Sequence, residues 1–287
     1  MLNVGRVDVG EFLRGAGPLL REREVENNYP LRIAEMAKRD PKSDGEPAWF
    51  LLVRDDRGNL VSAGAMAPPH KLAFSRLDEE GIRSLLDFLL RHNAPLSGIN
   101  APKETSRKFA EAWASRTGGT FELGMDMRLY KLDKPPEGKF SKGILRVSTE
   151  ADMPLLCDWV KGFEHDAHGG PVTQEKAEEI VRAWMANGKS YLWGSEEPVC
   201  MARSALPTGS GVCIMGVYTP PELRGKGHAS AAVAALSTKL LKDGYKFVYL
   251  NANVENKTAN SIYSKIGFKA AAEISSYTFI AAGPQTG

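Results

Sequence analysis

Apolar positions along the 287 residues switch repeatedly between a spacing of three to four and a spacing of two, which predicts helices and strands interleaved throughout the chain. Helical spacing covers Phe12 to Asn28, about Asp78 to His92, and Glu104 to Arg116. Strand-like runs at Trp49–Arg54 and Leu60–Met66 flank Asp55–Asn59 as a hairpin, Gly98–Pro102 ends a short strand, and Met125–Leu132 forms another. The periodicity stops at Asp133–Gly143, where proline, glycine and charge take over. It resumes with a strand at Ile144–Val147, helices at Ala151–Phe163 and about Gln174–Ala186, a hairpin of Tyr191–Gly194 and Val199–Arg203, and a longer strand at Gly211–Thr219. A helix to about Lys242, a strand at Phe247–Ala252, a helix at Lys257–Ile266 and a last strand near Ser275–Phe279 complete the pattern. Both halves run through one order of elements: helices, meander, helix, strand, helix, strand. The expectation is an α/β (α+β) protein of two tandem domains, residues 1–134 and 144–287, joined by a linker at 135–143.

Composition narrows the classes without choosing among them. Hydrophobic residues at 43% and charged residues at 25% suit a packed globular chain, so neither disorder nor a fibrous class is favoured. A net charge of +2, with no block of like charges, gives no footprint for nucleic acid. Cys157, Cys200 and Cys213 are odd in number and widely spaced, fitting neither a disulfide framework nor paired zinc ligands. No apolar stretch is long enough to span a bilayer, and Met1–Arg6 has no signal-peptide pattern. The expectation is a soluble, cytoplasmic protein with reduced thiols, no metal and no membrane or nucleic-acid partner, as a monomer or homodimer.

The chemistry concentrates after residue 215. A strand ending at Val217-Tyr218-Thr219 turns at Pro220-Pro221 into Arg224-Gly225-Lys226-Gly227-His228-Ala229-Ser230, which opens an alanine- and leucine-rich helix. Glycines permit close backbone approach, and a helix N-terminus offers unsatisfied N–H groups and the positive end of its dipole, so this arrangement can hold a diphosphate. A glycine-rich connection of purely structural purpose has the same appearance. Other phosphate motifs do not fit: Gly-x-x-x-x-Gly-Lys-Ser/Thr is absent, and Gly15-Ala16-Gly17 has Leu20 where a third glycine belongs. Further on, Ala259, Ile262, Tyr263 and Ile266 share one helical face, so Tyr263 points inward with the packed residues. Asn256 as a helix cap, Tyr263 as a core aromatic and Gly267 as a helix terminator account for the same residues structurally.

Together the two segments resemble the GNAT superfamily of acyl-CoA-dependent N-acyltransferases. That family pairs a Gln/Arg-x-x-Gly-x-Gly/Ala loop, here Arg224 to Ala229, with a downstream Asn-x-x-Ala-x-x-x-Tyr-x-x-x-Gly-Phe segment, here Asn256, Ala259, Tyr263, Gly267 and Phe268. The resemblance covers about residues 144–280. Phrases of the first half, Gly98–Pro102 and Phe109–Trp113, look like the N-terminal half of tandem bacterial members. That half has Ala67-Pro68-Pro69-His70-Lys71-Leu72 where a glycine loop is expected, which implies a degenerate copy that does not bind CoA.

The resemblance implies two GNAT-like domains, each with a mixed, mainly antiparallel twisted sheet flanked by helices, and acetyl-CoA as acyl donor to a primary amine, a small molecule more than a protein. The donor would lie between two splayed parallel strands, along Val217, Tyr218 and Thr219, with its pyrophosphate on the backbone of Arg224, Gly225, Lys226, Gly227, His228, Ala229 and Ser230. Asn256 would contact the pantetheine. The backbone N–H of Val217 would polarise the thioester carbonyl and Tyr263 would act as general acid toward the departing thiolate. The strand from Val212 to Thr219 has no carboxylate to act as base, so water or a residue elsewhere must serve. Glu164, His165, Asp166 and His168 cluster near the expected acceptor region, with Glu164 the weak candidate base, although charged residues at a solvated helix end before Gly169-Gly170 are the more ordinary explanation. A metal at His165 and His168 has no further ligand in sight, and Glu222 reads as a turn residue. A non-catalytic CoA-responsive binding or regulatory module is the alternative function.

Overall fold

The computed structural model describes residues 2–39, 47–186 and 189–282. Its contacts gather into two compact units that interleave along the chain: Met1–Leu129, Ala252–Asn256 and Ala270–Gly287 form unit 1, and Tyr130–Asn251 with Lys257–Lys269 form unit 2. No helix among the described residues is long and apolar enough to cross a membrane.

Unit 1 carries strands β1 (Asn3–Val7), β2 (Trp49–Arg54), β3 (Leu60–Met66), β4 (Leu72–Phe74), β5 (Gly98–Pro102), most of β6 (Thr120–Leu132) and most of β12 (Lys269–Ile280). β1–β2, β2–β3, β3–β4 and β5–β12 are antiparallel and β4–β5 is parallel. The last strand of the chain thus pairs with β5, from Ile274 opposite Pro102 to Thr278 opposite Gly98. β2 is buried on both faces. Phe50 and Leu52 pack with Phe12, Leu20 and Leu31, while Leu51 and Val53 pack with Leu85, Phe109 and Trp113.

The single helix expected from Phe12 to Asn28 is three elements instead: α1 (Val9–Gly15), α2 (Gly17–Glu22) and the start of α3 (Asn28–Arg39). Pro18 lacks the N–H that a continuous helix needs there and suits the first turn of α2. Asp8 sets the start of α1 by accepting from the Glu11 N–H at 2.8 Å. Helices α4 (Glu79–Arg91) and α5 (Lys103–Thr117) match their expected positions.

Unit 2 is built on β7 (Ile144–Val147), β8 (Ser190–Gly194), β9 (Pro198–Ala205), β10 (Gly211–Tyr218) and β11 (Phe247–Asn253). β7 to β10 form an antiparallel meander, and β10–β11 is parallel. Alternation along the strands divides the core in two. Leu192, Met201 and Tyr218 face α6 (Met153–His168) and α7 (Gln174–Ala186), with Leu156, Trp159, Val181 and Trp184. Trp193 and Cys200 face α8 (His228–Lys242), with Ala231 and Ala232. Phe140, from the stretch expected as linker, packs on this second cluster, and Ser195 donates to the Lys142 carbonyl at 3.2 Å. Helix α9 spans Lys257–Ile266. All three cysteines are buried and none is in a disulfide among the described residues. Each unit is therefore a mixed, mainly antiparallel sheet with helices packed on it.

Candidate active site

The parallel ladder between β10 and β11 is short. It pairs Gly211 with Phe247, Val212 with Val248 and Cys213 with Tyr249, and among the described residues it ends there although both strands continue. On its other edge, β10 changes register against β9 between Met215 and Tyr218. Gly216 sits in this bulge at φ +60, a conformation that strains an L side chain, and an added Cβ would stand 3.2 Å from the Arg203 side chain. The bulge twists β10 where it parts from β11, leaving the far end of β10, Val217 to Tyr218, with a strand on one side only. Val217 is half-buried against the α8-facing cluster, and Tyr218 is buried on the α6 side.

The connection from β10 to α8 is shaped around Gly225 and Gly227. Both have φ +79, and open space surrounds the Cβ position at each. Gly227 is the N-cap residue of α8, and no side chain caps the helix. The first turn of α8 thus presents backbone N–H groups behind two glycines with open space at their Cβ positions, the donor set an anion requires. Lys226 is exposed beside it. His228, half-buried at the first helical position, lies 5.6 Å from the Trp193 ring, and its Nδ1 is buried without a partner. Ala229 packs inward and Ser230 is half-buried.

Arg224 does something the sequence did not reveal. Its Nε donates to the Thr219 carbonyl at 2.9 Å, Nη2 meets Asp166 Oδ2 at 2.5 Å, and the guanidinium lies 5.6 Å over the Tyr218 ring. The side chain ties the loop to β10 and α6, so among the residues of this loop the exposed cation left for a diphosphate is Lys226. α6 comes close here because residue 162 is glycine: a Cβ at Gly162 would collide with the Tyr218 hydroxyl.

Tyr263 lies on α9, edge-on to Tyr130 at 5.9 Å and to Phe268 at 6.1 Å between ring centroids. The Tyr130 hydroxyl donates to Asn260 Oδ1 at 2.6 Å, one turn before Tyr263, holding the aromatic pair in register. Although the residue is half-buried, protein crowds its hydroxyl. Loss of hydration pushes the Tyr263 pKa up to about 12, with smaller contributions from Cys213, Cys200 and Tyr130. The phenol is neutral across the physiological range. Asn256 belongs with unit 1, exposed in the turn before α9, where its N–H donates to the Asn253 carbonyl at 3.0 Å.

Of the acidic cluster on α6, Glu164 is half-buried and His165 exposed, Asp166 is committed to Arg224, and the side chain of His168 lies outside the described residues. Glu222 is exposed in a single helical turn at Pro221–Leu223. Among the described residues no three His, Cys, Asp or Glu side chains group as a metal site.

In unit 1 the connection that corresponds to the glycine loop, between β4 and the following helix α4, is residues 75–78. The segment Ala67–Leu72, expected there from the sequence, instead joins β3 to β4 and enters β4 at Leu72. The short β4, only Leu72–Phe74, gave too little periodicity to be seen. The true counterpart is Ser75-Arg76-Leu77-Asp78, without glycine. Asp78 caps α4 by accepting from the Gly81 N–H at 2.8 Å, and Arg76 is bound by Glu26 at 2.7 and 2.6 Å. A carboxylate thus already occupies the helix end that an anion would need.

Residues 197–277 match the family of FR47-like proteins. Solved structures match over nearly the whole chain. A GCN5-related N-acetyltransferase from Sphaerobacter thermophilus aligns with 98% of this chain and 96% of its own at 14% identity and a TM-score of 0.61. The chain therefore shares the fold of GNAT N-acetyltransferases. A Drosophila protein aligns over 96% of this chain and 98% of its own, at 12% identity and TM-score 0.63. A tandem GNAT protein from the clavulanic acid biosynthesis pathway covers 99% and 100%, at 12% identity and TM-score 0.54. No curated protein is significantly similar in sequence. The matched family segment spans β9 to β12, so it includes the bulge, the glycine loop and Tyr263.

Proposed function

We propose that this protein, with its GNAT-like fold, is an N-acetyltransferase that moves an acetyl group from acetyl-CoA to a primary amine of a small molecule. The observation that carries the reading is the end of the β10–β11 ladder at Cys213, directly before a bulge and an uncapped, glycine-led helix N-terminus. This is a slot for an extended thiol arm leading to a seat for its diphosphate. The arm bonds along Val217, Tyr218 and Thr219 as an added strand, and the pyrophosphate meets N–H groups from Arg224 to Ser230. The first half, residues 1–134, serves as a degenerate copy without a CoA site, consistent with the capping carboxylate of Asp78.

In the reaction, the amine nitrogen attacks the thioester carbonyl carbon while the Val217 N–H stabilises the developing oxyanion. The carbon–sulfur bond breaks, and Tyr263, neutral because burial holds its pKa near 12, donates toward the leaving sulfur. Net, the acceptor ammonium loses two protons: one ends on the CoA thiol and one in water. Glu164 and water are the candidates for the proton-accepting step, since β10 has no carboxylate.

The test is acetyl-CoA consumption across a panel of primary amines, with acetylated product identified by mass. Amine-dependent turnover is expected. Tight CoA binding with no amine acetylated would favour the regulatory-module reading, which that missing carboxylate keeps in contention.

A further inference from the structure

Arg203 is an arginine of unit 2 without a carboxylate partner among the described residues. It lies on β9 opposite Met215 of β10 and Ser190 of β8. Its guanidinium stacks 4.6 Å from the centroid of the Trp184 ring, and its Nε is buried without a hydrogen-bond partner. Other arginines of this unit reach carboxylates: Arg146 with Asp152, Arg182 with Glu178, Arg224 with Asp166. Among the described residues none pairs with Arg203. Burial pulls its pKa down, though a guanidinium stays charged at any ordinary pH. A half-buried permanent charge without a counter-ion is costly, and a bound anion removes that cost.

The geometry says which anion and where. Trp184 lies against the guanidinium, and the fork of guanidinium N–H donors is the group that meets a planar carboxylate in two parallel bonds. Arg203 shares a strand face with Met201, which packs with Tyr218 against α6 and α7. This is the face opposite α8, whose N-terminus is the proposed diphosphate seat. Its side chain also passes 3.2 Å from the Cβ position at Gly216, the residue before Val217. An anion bound here is close to Gly216 and so to the proposed acyl carbon at Val217.

Resting on the acetyltransferase reading, we infer that the acceptor is a small amino carboxylate, a free amino acid or a short ω-amino acid, whose carboxylate is held by Arg203 while its amine faces the thioester. Arg203 is a specificity residue: it selects amines that carry an acid group a few bonds away.

The experiment uses the full chain, its Arg203→Met and Arg203→Lys variants, and glycine, β-alanine, 4-aminobutyrate and L-leucine, each beside its primary carboxamide. Turnover gives the ratio of kcat/KM for acid over amide. Calorimetric titration of the same compounds into CoA-loaded protein reads binding independently of transfer. At least one acid should exceed its amide by about 30-fold or more, mainly in KM, as expected when one partner of a desolvated charge pair is removed. Arg203→Met should bring the ratio close to one, Arg203→Lys should retain part of it, and the CoA affinity of each variant shows that it is folded. Acids that bind selectively but are not acetylated support the carboxylate site while removing the acetyltransferase reading. Equal use of acids and amides, a ratio unmoved by Arg203→Met, or no acid either bound or acetylated overturns the inference.

Discussion

At the scale of single residues, burial keeps the Tyr263 phenol protonated but makes it a weaker acid, so donation to the thiolate depends on close positioning. With its pKa near 12, Tyr263 stays protonated well above neutrality, so it cannot be the group whose ionisation ends activity near pH 10. A pH profile of the chemical step should show no descending limb from Tyr263 below about pH 11; a limb near 10 that vanishes in Tyr263→Phe would contradict this. The same substitution should lower kcat by about 100-fold or more while leaving the CoA dissociation constant within about twofold. Asp152 is the structural counterpart. Arg146 binds it at 2.7 Å through both nitrogens, and the Thr149 N–H and hydroxyl donate to it, which lowers its pKa from 3.8 to about 2. A carboxyl depressed on folding stabilises fully above its ordinary pKa and loses that contribution as pH falls toward about 2. Arg146 is 45% exposed, so water trims the effect, and Asp152→Asn should cost about 1–2 kcal/mol at pH 7. Urea unfolding at pH 7 and pH 3 checks that the gap narrows in acid.

At the scale of elements, what was legible follows local chemistry. α9 was read at Lys257–Ile266 because its apolar face keeps one period, and α4 because Asp78 and His92 bracket a continuous stripe. The connection from β10 into α8 was legible through its glycines. Arg224's partners, the bulge at Gly216 and the approach of α6 at Gly162 were not, because each depends on a residue distant in sequence. The break between α1 and α2 was signalled by Gly15, Gly17 and Pro18 but masked by apolar spacing that continues through it. Two consequences belong here. Gly227→Val forces a branched side chain to φ +79, where strain is about 1–3 kcal/mol, and should weaken CoA binding by at least about tenfold in a titration. Gly162→Ala drives a methyl into the Tyr218 hydroxyl, so α6 must shift, lowering stability by about 1–3 kcal/mol in denaturant unfolding.

At the scale of the whole molecule, the repeated order of elements was visible along the chain, whereas the partner of β12 was not. A strand pattern reports which residues point inward but not which edge it joins, so the pairing of Ile274–Thr278 with β5 could not be read from the last forty residues. The repeat also hides an asymmetry. One β-to-helix connection is led by glycines and uncapped; the other is short and closed by Asp78. The central claim is that this asymmetry leaves one acyl-CoA site per chain, at the glycine loop of unit 2. Isothermal titration of CoA into the full chain, its Gly227→Val variant and an Asp78→Asn variant tests it most directly. The account predicts one CoA per chain, weakened by Gly227→Val and unaffected by Asp78→Asn; two CoA per chain, or binding indifferent to Gly227→Val, would contradict it.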